Sequence, residues 1–260
     1  MGDVLRVSLI QTDVVWEDKR ANLNKYAAIL SHITGDCDLV VFPEMFTTGF
    51  SMRAEDLAEC IDGETITEVK KWSRNYNVAI AGSFIARAGN VCFNRGFFIE
   101  PDGSEHYYDK RHLFRMGEEG RHFVSGSEKL IVNYRGWNIC LLVCYDLRFP
   151  VWSRNTCEYD LAVYVANWPE ARRQPWQILL MARAIENQCY VIGVNRVGED
   201  GVGLSYSGDS AVISPKGDVL VACEPFADEV KQVDIDLKAL REFREKFPVL
   251  EDRDEFTIED

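Results

Sequence analysis

The stretch Leu141–Pro150, LLVCYDLRFP, constrains the fold more than any other part of this chain. An apolar run of strand length stops at Cys144, and polar and turn-forming residues follow at once. Such a run reads as a rigid, buried strand with the cysteine where it emerges. That is a way to present a reactive thiol, with the backbone N–H groups just beyond it free to face a substrate. A nucleophile also needs a base and an oxyanion partner, which the rest of the chain has to supply.

Other short apolar runs recur along the chain. Val4–Gln11 is β-rich, and Asp38–Phe42 is a continuous run cut off by Pro43, after which the polar loop Glu44–Gly49 begins. Val78–Ala86 and Val91–Glu100 read as strands joined by a turn at Gly89–Asn90, with a further turn at Pro101-Asp102-Gly103. Leu130–Tyr134 and Trp137–Val143 form a hairpin about Arg135-Gly136, and Asp160–Ala166 and Tyr190–Asn195 are further strands. Ser210–Ser214 and Val219–Glu224 flank a second hairpin turn, and Val230–Ile235 closes the sheet.

Helical spacing appears between the strands. In Glu17–His32, Leu23, Tyr26, Ala27 and Leu30 make one stripe, and in Thr65–Tyr76, Ile66, Val69 and Trp72 point inward. Pro175–Gln188 carries Trp176, Leu179, Leu180 and Ala184 on one face. A short helix is expected over Trp152–Cys157 and a last one over Leu237–Lys246. The polar, aperiodic stretch His106–Gly126 reads as a long functional loop. The acidic tail from about 247 to 260 reads as a segment that frays or wraps a neighbour. No repeat or linker divides the chain, so one domain over 1–260 is expected, a sheet-rich α/β sandwich.

Composition narrows the partners. The net charge of −13 argues against nucleic acid or an anionic membrane. Charged residues near Met1 and the lack of a long apolar run make a signal peptide and a membrane span unexpected, so the cytoplasm is the expected compartment. The eight cysteines are scattered without metal-site spacing.

Three positions share one character: Glu44 follows Val40–Pro43, Lys110 follows Tyr107–Asp109, and Cys144 follows Leu141–Val143. Each is a charged or nucleophilic residue where a strand ends, and strand ends at one sheet edge can converge. A glutamate partly buried in an apolar mouth can take a thiol proton, and a lysine favours the thiolate and a tetrahedral oxyanion. Each also has an ordinary reading, as a solvated turn, a surface lysine and a core cysteine.

The wording around these positions decides between the readings. Phe42–Phe46 (FPEMF), Asp109–Phe114 (DKRHLF) and Leu142–Pro150 (LVCYDLRFP) resemble the three signature segments of the nitrilase superfamily, carbon–nitrogen hydrolases with a four-layer α-β-β-α sandwich. Thr47–Phe50 and Val151–Asn155 are similar to its ω-amidase branch. The resemblance implies Glu44 as general base, Lys110 as oxyanion partner together with the backbone N–H of Tyr145, and Cys144 as nucleophile. It also implies a second glutamate ahead of Gly126; Glu118 and Glu119 both qualify, and counting back favours Glu119. The implied reaction is hydrolysis of the terminal amide of a keto-acid monoamide such as α-ketoglutaramate or α-ketosuccinamate, with no metal or cofactor, in a homodimer. Deaminated-glutathione amidase and N-carbamoyl amino acid amidohydrolase are alternatives within the same chemistry, and a non-catalytic binding protein is one from outside it. A carboxylate-bearing substrate needs a cation, for which Arg148 is the candidate against an ordinary salt bridge, and Phe50 and Trp168 are candidate pocket walls.

Overall fold

The computed structural model describes residues 3–33 and 37–258. Side-chain alternation within single strands accounts for its layers. In strand β2 (Leu39–Val41), Leu39 and Val41 join a core with Ala79, Ala81 and Phe98, and also with Ile139, Leu141 and Val163 of a second sheet. Val40 turns the other way and packs with Leu23, Tyr26 and Leu30 of helix α1 (Lys19–His32) and with Ile66, Val69 and Trp72 of helix α3 (Glu64–Tyr76), which follows the one-turn helix α2 (Ala54–Leu57). One face of each strand thus meets the other sheet and one meets helices, which is the expected α-β-β-α sandwich. Each large aliphatic side chain buried this way contributes about 1.5–3 kcal/mol.

In the first sheet, β1 (Val4–Gln11), β2 and β3 (Ala79–Ala88) run parallel. The antiparallel strands β4 (Val91–Ile99) and β5 (Glu105–Asp109) extend one side, and the C-terminal strand β14 (Glu229–Asp236) pairs with β1 on the other. In the second sheet, β7 (Trp137–Val143), β8 (Leu161–Ala166) and β9 (Tyr190–Asn195) run parallel. β6 (Leu130–Tyr134) flanks β7, and β12 (Ala211–Ile213) and β13 (Val219–Ala222) flank β9. Helix α5 (Arg173–Asn187) covers this sheet through Trp176, Leu180 and Ala184. It packs so closely that a Cβ on Gly193 would lie 2.5 Å from Leu180.

The hairpin about Arg135-Gly136, the strand Tyr190–Asn195 and the last helix, α6 (Leu237–Lys246), fall on the expected residues. Other elements differ. The stretch from His106 is not all loop, because Glu105–Asp109 is an edge strand whose half-exposed face carries polar residues. Helix α1 begins at Lys19, since the Asp18 side chain accepts from Ala21 N at 2.9 Å and Glu17 lies at φ 55°. The short helix after the cysteine spans Pro150–Ser153 (α4), earlier than expected, because Pro150 suits the first helical position. It stops before Asn155, whose side chain is bonded to the Tyr159 and Asn187 backbones. The ribbon β10 (Val197–Glu199) and β11 (Ser205–Ser207) was not expected. The acidic tail carries a short turn, Val249–Asp252, and its last two residues lie outside the described ones. Among the described residues no helix is long and apolar enough to cross a membrane.

Candidate active site

Four strand segments converge on one point. Beyond β2 the chain stays zipped to β3 through Phe42 N to Ala81 O (2.8 Å) and Phe46 N to Ser83 O (3.2 Å), which carries Glu44 into the interior. Lys110 follows β5, and its N–H donates to Asn94 O on β4 at 3.0 Å. Lys110 Nζ donates to Glu44 Oε1 at 2.9 Å and to both Glu119 oxygens at 3.0 and 3.1 Å. All three side chains are fully buried. Asn94 Nδ2 bridges the carboxylates, 2.7 Å from Glu44 Oε1 and 3.0 Å from Glu119 Oε1. Asn94 is oriented in turn by Ser83 Oγ, which donates to Asn94 Oδ1 at 3.0 Å and accepts from Met45 N at 2.8 Å.

Of the two candidate glutamates, Glu119 is the one brought to Lys110. Glu118 lies on the surface at φ 57°, paired with Arg121 at 2.7 Å. Glu119 is held by the Phe114 N–H at 2.6 Å. The loop carrying it is closed by Gly126, whose N–H donates to Lys110 O at 3.0 Å. A Cβ on Gly126 would lie 2.2 Å from Asp109 O, so only glycine permits the approach.

Cys144 directly follows β7 and opens a 3-10 turn, Cys144–Arg148, at φ 45°, a conformation that costs a non-glycine residue about 1–3 kcal/mol. Asp146 holds the turn. Its fully buried carboxylate accepts from Val143 N (3.0 Å), Tyr108 OH (2.7 Å) and His112 N (3.0 Å), tying the cysteine turn to the lysine loop. The first N–H groups of a 3-10 turn, Tyr145 N–H among them, have no acceptor within the turn. Cys144 Sγ lies 3.8 Å from Asn167 O, just past the end of β8.

Glu44 is not in an apolar mouth as expected. It is wholly enclosed by donors, with Lys110 and Asn94 on Oε1 and Asn167 N on Oε2 at 2.7 Å. Burial opposes the Lys110 charge, but Glu119 and Glu44 outweigh it and hold the ammonium above its ordinary value. Burial pushes the Glu119 carboxyl up, opposed by Lys110 and reinforced by the Glu44 charge. The Cys144 thiol is pushed well above its ordinary value by burial and then by Glu44. Lys110 pulls it down as expected but is outweighed. The resting site therefore holds a thiol with carboxylates beside it, not a stored thiolate.

Cys144 opens onto a cavity of about 650 Å³. Phe50, Phe114 and Trp168 line it, as do Tyr145, Arg148 and Arg172. Arg148 makes no ion pair among the described residues; its guanidinium lies 5.0 Å from the Trp168 ring centre. Lys110 Nζ lies 5.2 Å from the Phe50 ring. The lining acids are engaged elsewhere. Asp200 accepts from Val202 N, Leu204 N and Tyr206 OH, and Glu17 holds Arg53 and Ser51. The cavity thus offers a thiol and two cations, Arg148 and Arg172, that make no ion pair among the described residues, between aromatic walls. No cluster of three or more His, Cys, Asp or Glu fit to hold a metal occurs among the described residues.

Sequence reasoning missed Asn94, Asp146 and Asn167. Asp146 and Asn167 sit beside strand ends, two residues past Cys144 and one past β8, which was a usable signal. Asn94 lies inside a strand and had none.

A thiol, two carboxylates and an ammonium gathered at strand ends of an α-β-β-α sandwich define a hydrolase that can work through an acyl-enzyme. Residues 6–245 match the carbon-nitrogen hydrolase family. The chain belongs to that family and is an enzyme that hydrolyses carbon–nitrogen bonds. It is 48% identical over 256 residues, 98% of each chain, to the omega-amidase YafV of Escherichia coli K12. It is 32% identical over 252 residues to the 2-oxoglutaramate amidase of Bacillus subtilis 168, covering 95% of this chain and 96% of that one. The crystal structure of XC1258 from Xanthomonas campestris, a CN-hydrolase superfamily protein with an arsenic adduct in its active site, matches with a TM-score of 0.96. The two are 45% identical, over 98% of this chain and 99% of that one.

Proposed function

We propose that this enzyme is an ω-amidase, hydrolysing the terminal amide of a short keto-acid monoamide such as α-ketoglutaramate to the keto acid and ammonia. The observation that carries the reading is that Cys144 shares one cavity with Arg148, which makes no ion pair among the described residues, backed by the buried Glu44–Lys110–Glu119 cluster. The similarity to an omega-amidase and a 2-oxoglutaramate amidase supports the same substrate class.

In this mechanism Glu44 takes the Cys144 proton as sulfur attacks the amide carbon. Among the described residues its Oε2 accepts the Asn167 N–H alone, which leaves a lone pair for that proton. The carbonyl π electrons move to oxygen, and the oxyanion is met by Lys110 Nζ and the Tyr145 N–H. When the carbonyl re-forms, the C–N bond breaks, the Glu44 proton passes to nitrogen, and ammonia leaves. Water then attacks the thioester, giving a proton to Glu44 with Glu119 helping to position it. The C–S bond breaks, and the proton returns to Cys144. Arg148 grips the distal carboxylate with two parallel bonds, and Phe50 and Trp168 flank the chain between. The whole chain, 1–260, acts as one domain, in the cytoplasm and as a homodimer to which Phe247 and Leu250 contribute.

Ammonia release from α-ketoglutaramate, compared with N-carbamoyl amino acids and deaminated glutathione, tests the substrate class; a preference for either of the latter sinks it. Arg148→Lys should raise KM for the keto-acid amide about tenfold with a smaller change in kcat. An unchanged KM removes Arg148 from substrate binding.

A further inference from the structure

Asn167 is 4% exposed and lines the Cys144 cavity. Three of its four hydrogen-bonding groups are placed around the chemistry: its N–H donates to Glu44 Oε2 at 2.7 Å, its Nδ2 donates to Glu44 O at 2.6 Å, and its carbonyl lies 3.8 Å from Cys144 Sγ. The fourth, Oδ1, is buried and accepts no hydrogen bond from any described residue. Its identity as oxygen follows from the partner opposite. The atom 2.6 Å from the Glu44 carbonyl has to be a donor, because two oxygens at that distance would repel. The unmet acceptor is therefore Oδ1, on the arm of the amide turned away from the Glu44 carbonyl, in a residue that lines the Cys144 cavity.

A buried acceptor without a partner costs free energy that a ligand donor recovers on binding. A primary amide held with its carbon at Cys144 brings such a donor. Its oxygen is directed to Lys110 and the Tyr145 N–H, and its nitrogen carries two N–H groups.

We propose that Asn167 Oδ1 accepts one N–H of the substrate carboxamide, orienting the leaving nitrogen toward the Glu44 carboxyl and selecting amides over esters of the same acid. The inference rests on the Cys144–Glu44 reading above. It assigns to Asn167 two separate duties: Nδ2 and the backbone N–H hold Glu44, and Oδ1 reads the substrate.

The duties separate experimentally with glutaramate and monomethyl glutarate, which share one acyl group and differ only in the leaving group. Loss of Glu44 placement slows acylation by both substrates. Its own effect on the amide-to-ester ratio is read from Glu44→Asp, which leaves Asn167 Oδ1 in place; a fall there equal to that in Asn167→Ala overturns the proposal. Loss of Oδ1 penalises only the amide, because the ester oxygen has no hydrogen to donate. In Asn167→Ala the ratio of kcat/KM for glutaramate to that for monomethyl glutarate should fall about tenfold, the effect of one buried hydrogen bond. An equal fall for both substrates, or no fall, overturns the proposal. If Asn167→Ala does not fold, a crystal structure of Cys144→Ala with glutaramate decides instead. An amide nitrogen about 3 Å from Asn167 Oδ1 upholds the assignment, and a nitrogen beyond hydrogen-bond reach overturns it. Failure of the underlying reading looks different: the wild type would release no ammonia from glutaramate, or Cys144→Ala would still release it.

Discussion

Cys140 and Cys144 lie four residues apart, one inside strand β7 and one at its end. Both are buried, and in both burial raises the thiol, that of Cys140 to about 12. Burial and a raised thiol therefore do not separate Cys140 from Cys144, the nucleophile proposed above. Cys140 pairs in register with Ile131 and Ala162 in the middle of a sheet, where no base can reach it. Cys144 sits where the sheet stops, on a left-handed residue, with Glu44, Lys110 and Glu119 all acting on its sulfur. The contrast assigns reactivity to what the strand end gathers, and it can be broken or sharpened by substitution.

The largest effect should come from the two cysteines themselves. Cys144→Ala should lower kcat/KM for a keto-acid amide at least 10⁴-fold, on the order of a lost nucleophile, with the circular dichroism spectrum unchanged. Cys140→Ala should keep activity within about twofold and cost about 1 kcal/mol of stability. Equal activity losses in the two variants would erase the distinction. Next comes Lys110→Met, expected to reduce activity on the order of 10³-fold by removing the oxyanion partner. It also leaves Glu44 and Glu119 buried without their shared cation, which should cost about 3–5 kcal/mol at neutral pH. The Glu119 carboxyl would then bind its proton more tightly folded than unfolded. The lost stability should return as pH falls, and urea midpoints that stay flat with pH would contradict this.

Gly126→Ala acts at one remove. A methyl 2.2 Å from Asp109 O forces the loop outward and pulls Glu119 from Lys110, for an expected 10²-fold loss in kcat with KM little changed. Full activity would mean that Glu119 has no part in turnover. The smallest effect concerns the Glu119 charge. Its carboxyl is raised in the folded protein, so its contribution to stability is present below the ordinary glutamate value of 4.5 and is lost as pH rises through the folded one. Wild type should therefore lose stability relative to Glu119→Gln as pH climbs from 4.5, measured by chemical denaturation. A wild type that gains stability relative to Glu119→Gln as pH rises would reverse the sign argued here.

Much of this molecule is local. The run WNICLLV ahead of Cys144, the turn at Arg135-Gly136 and the stripe Ile66, Val69, Trp72 are patterns within a few residues, and each formed where its spacing put it. The edge strand Glu105–Asp109 escaped notice because an edge needs only one buried face, so its polar residues look like loop. The ribbon Val197–Glu199 with Ser205–Ser207 is too short for periodicity to register.

By itself the sequence determined the strand pattern, the family through the wording around Glu44, Lys110 and Cys144, and the presence of a thiol at a strand end. Only the tertiary structure decided which glutamate meets Lys110, that Arg148 has no acid partner among the described residues, and that Asn94, Asp146 and Asn167 belong to the site. The reason is distance along the chain. Periodicity and motifs report residues that are neighbours in sequence, whereas Glu44 meets its Asn167 donor across 123 positions, and that meeting exists only once the two sheets have packed face to face.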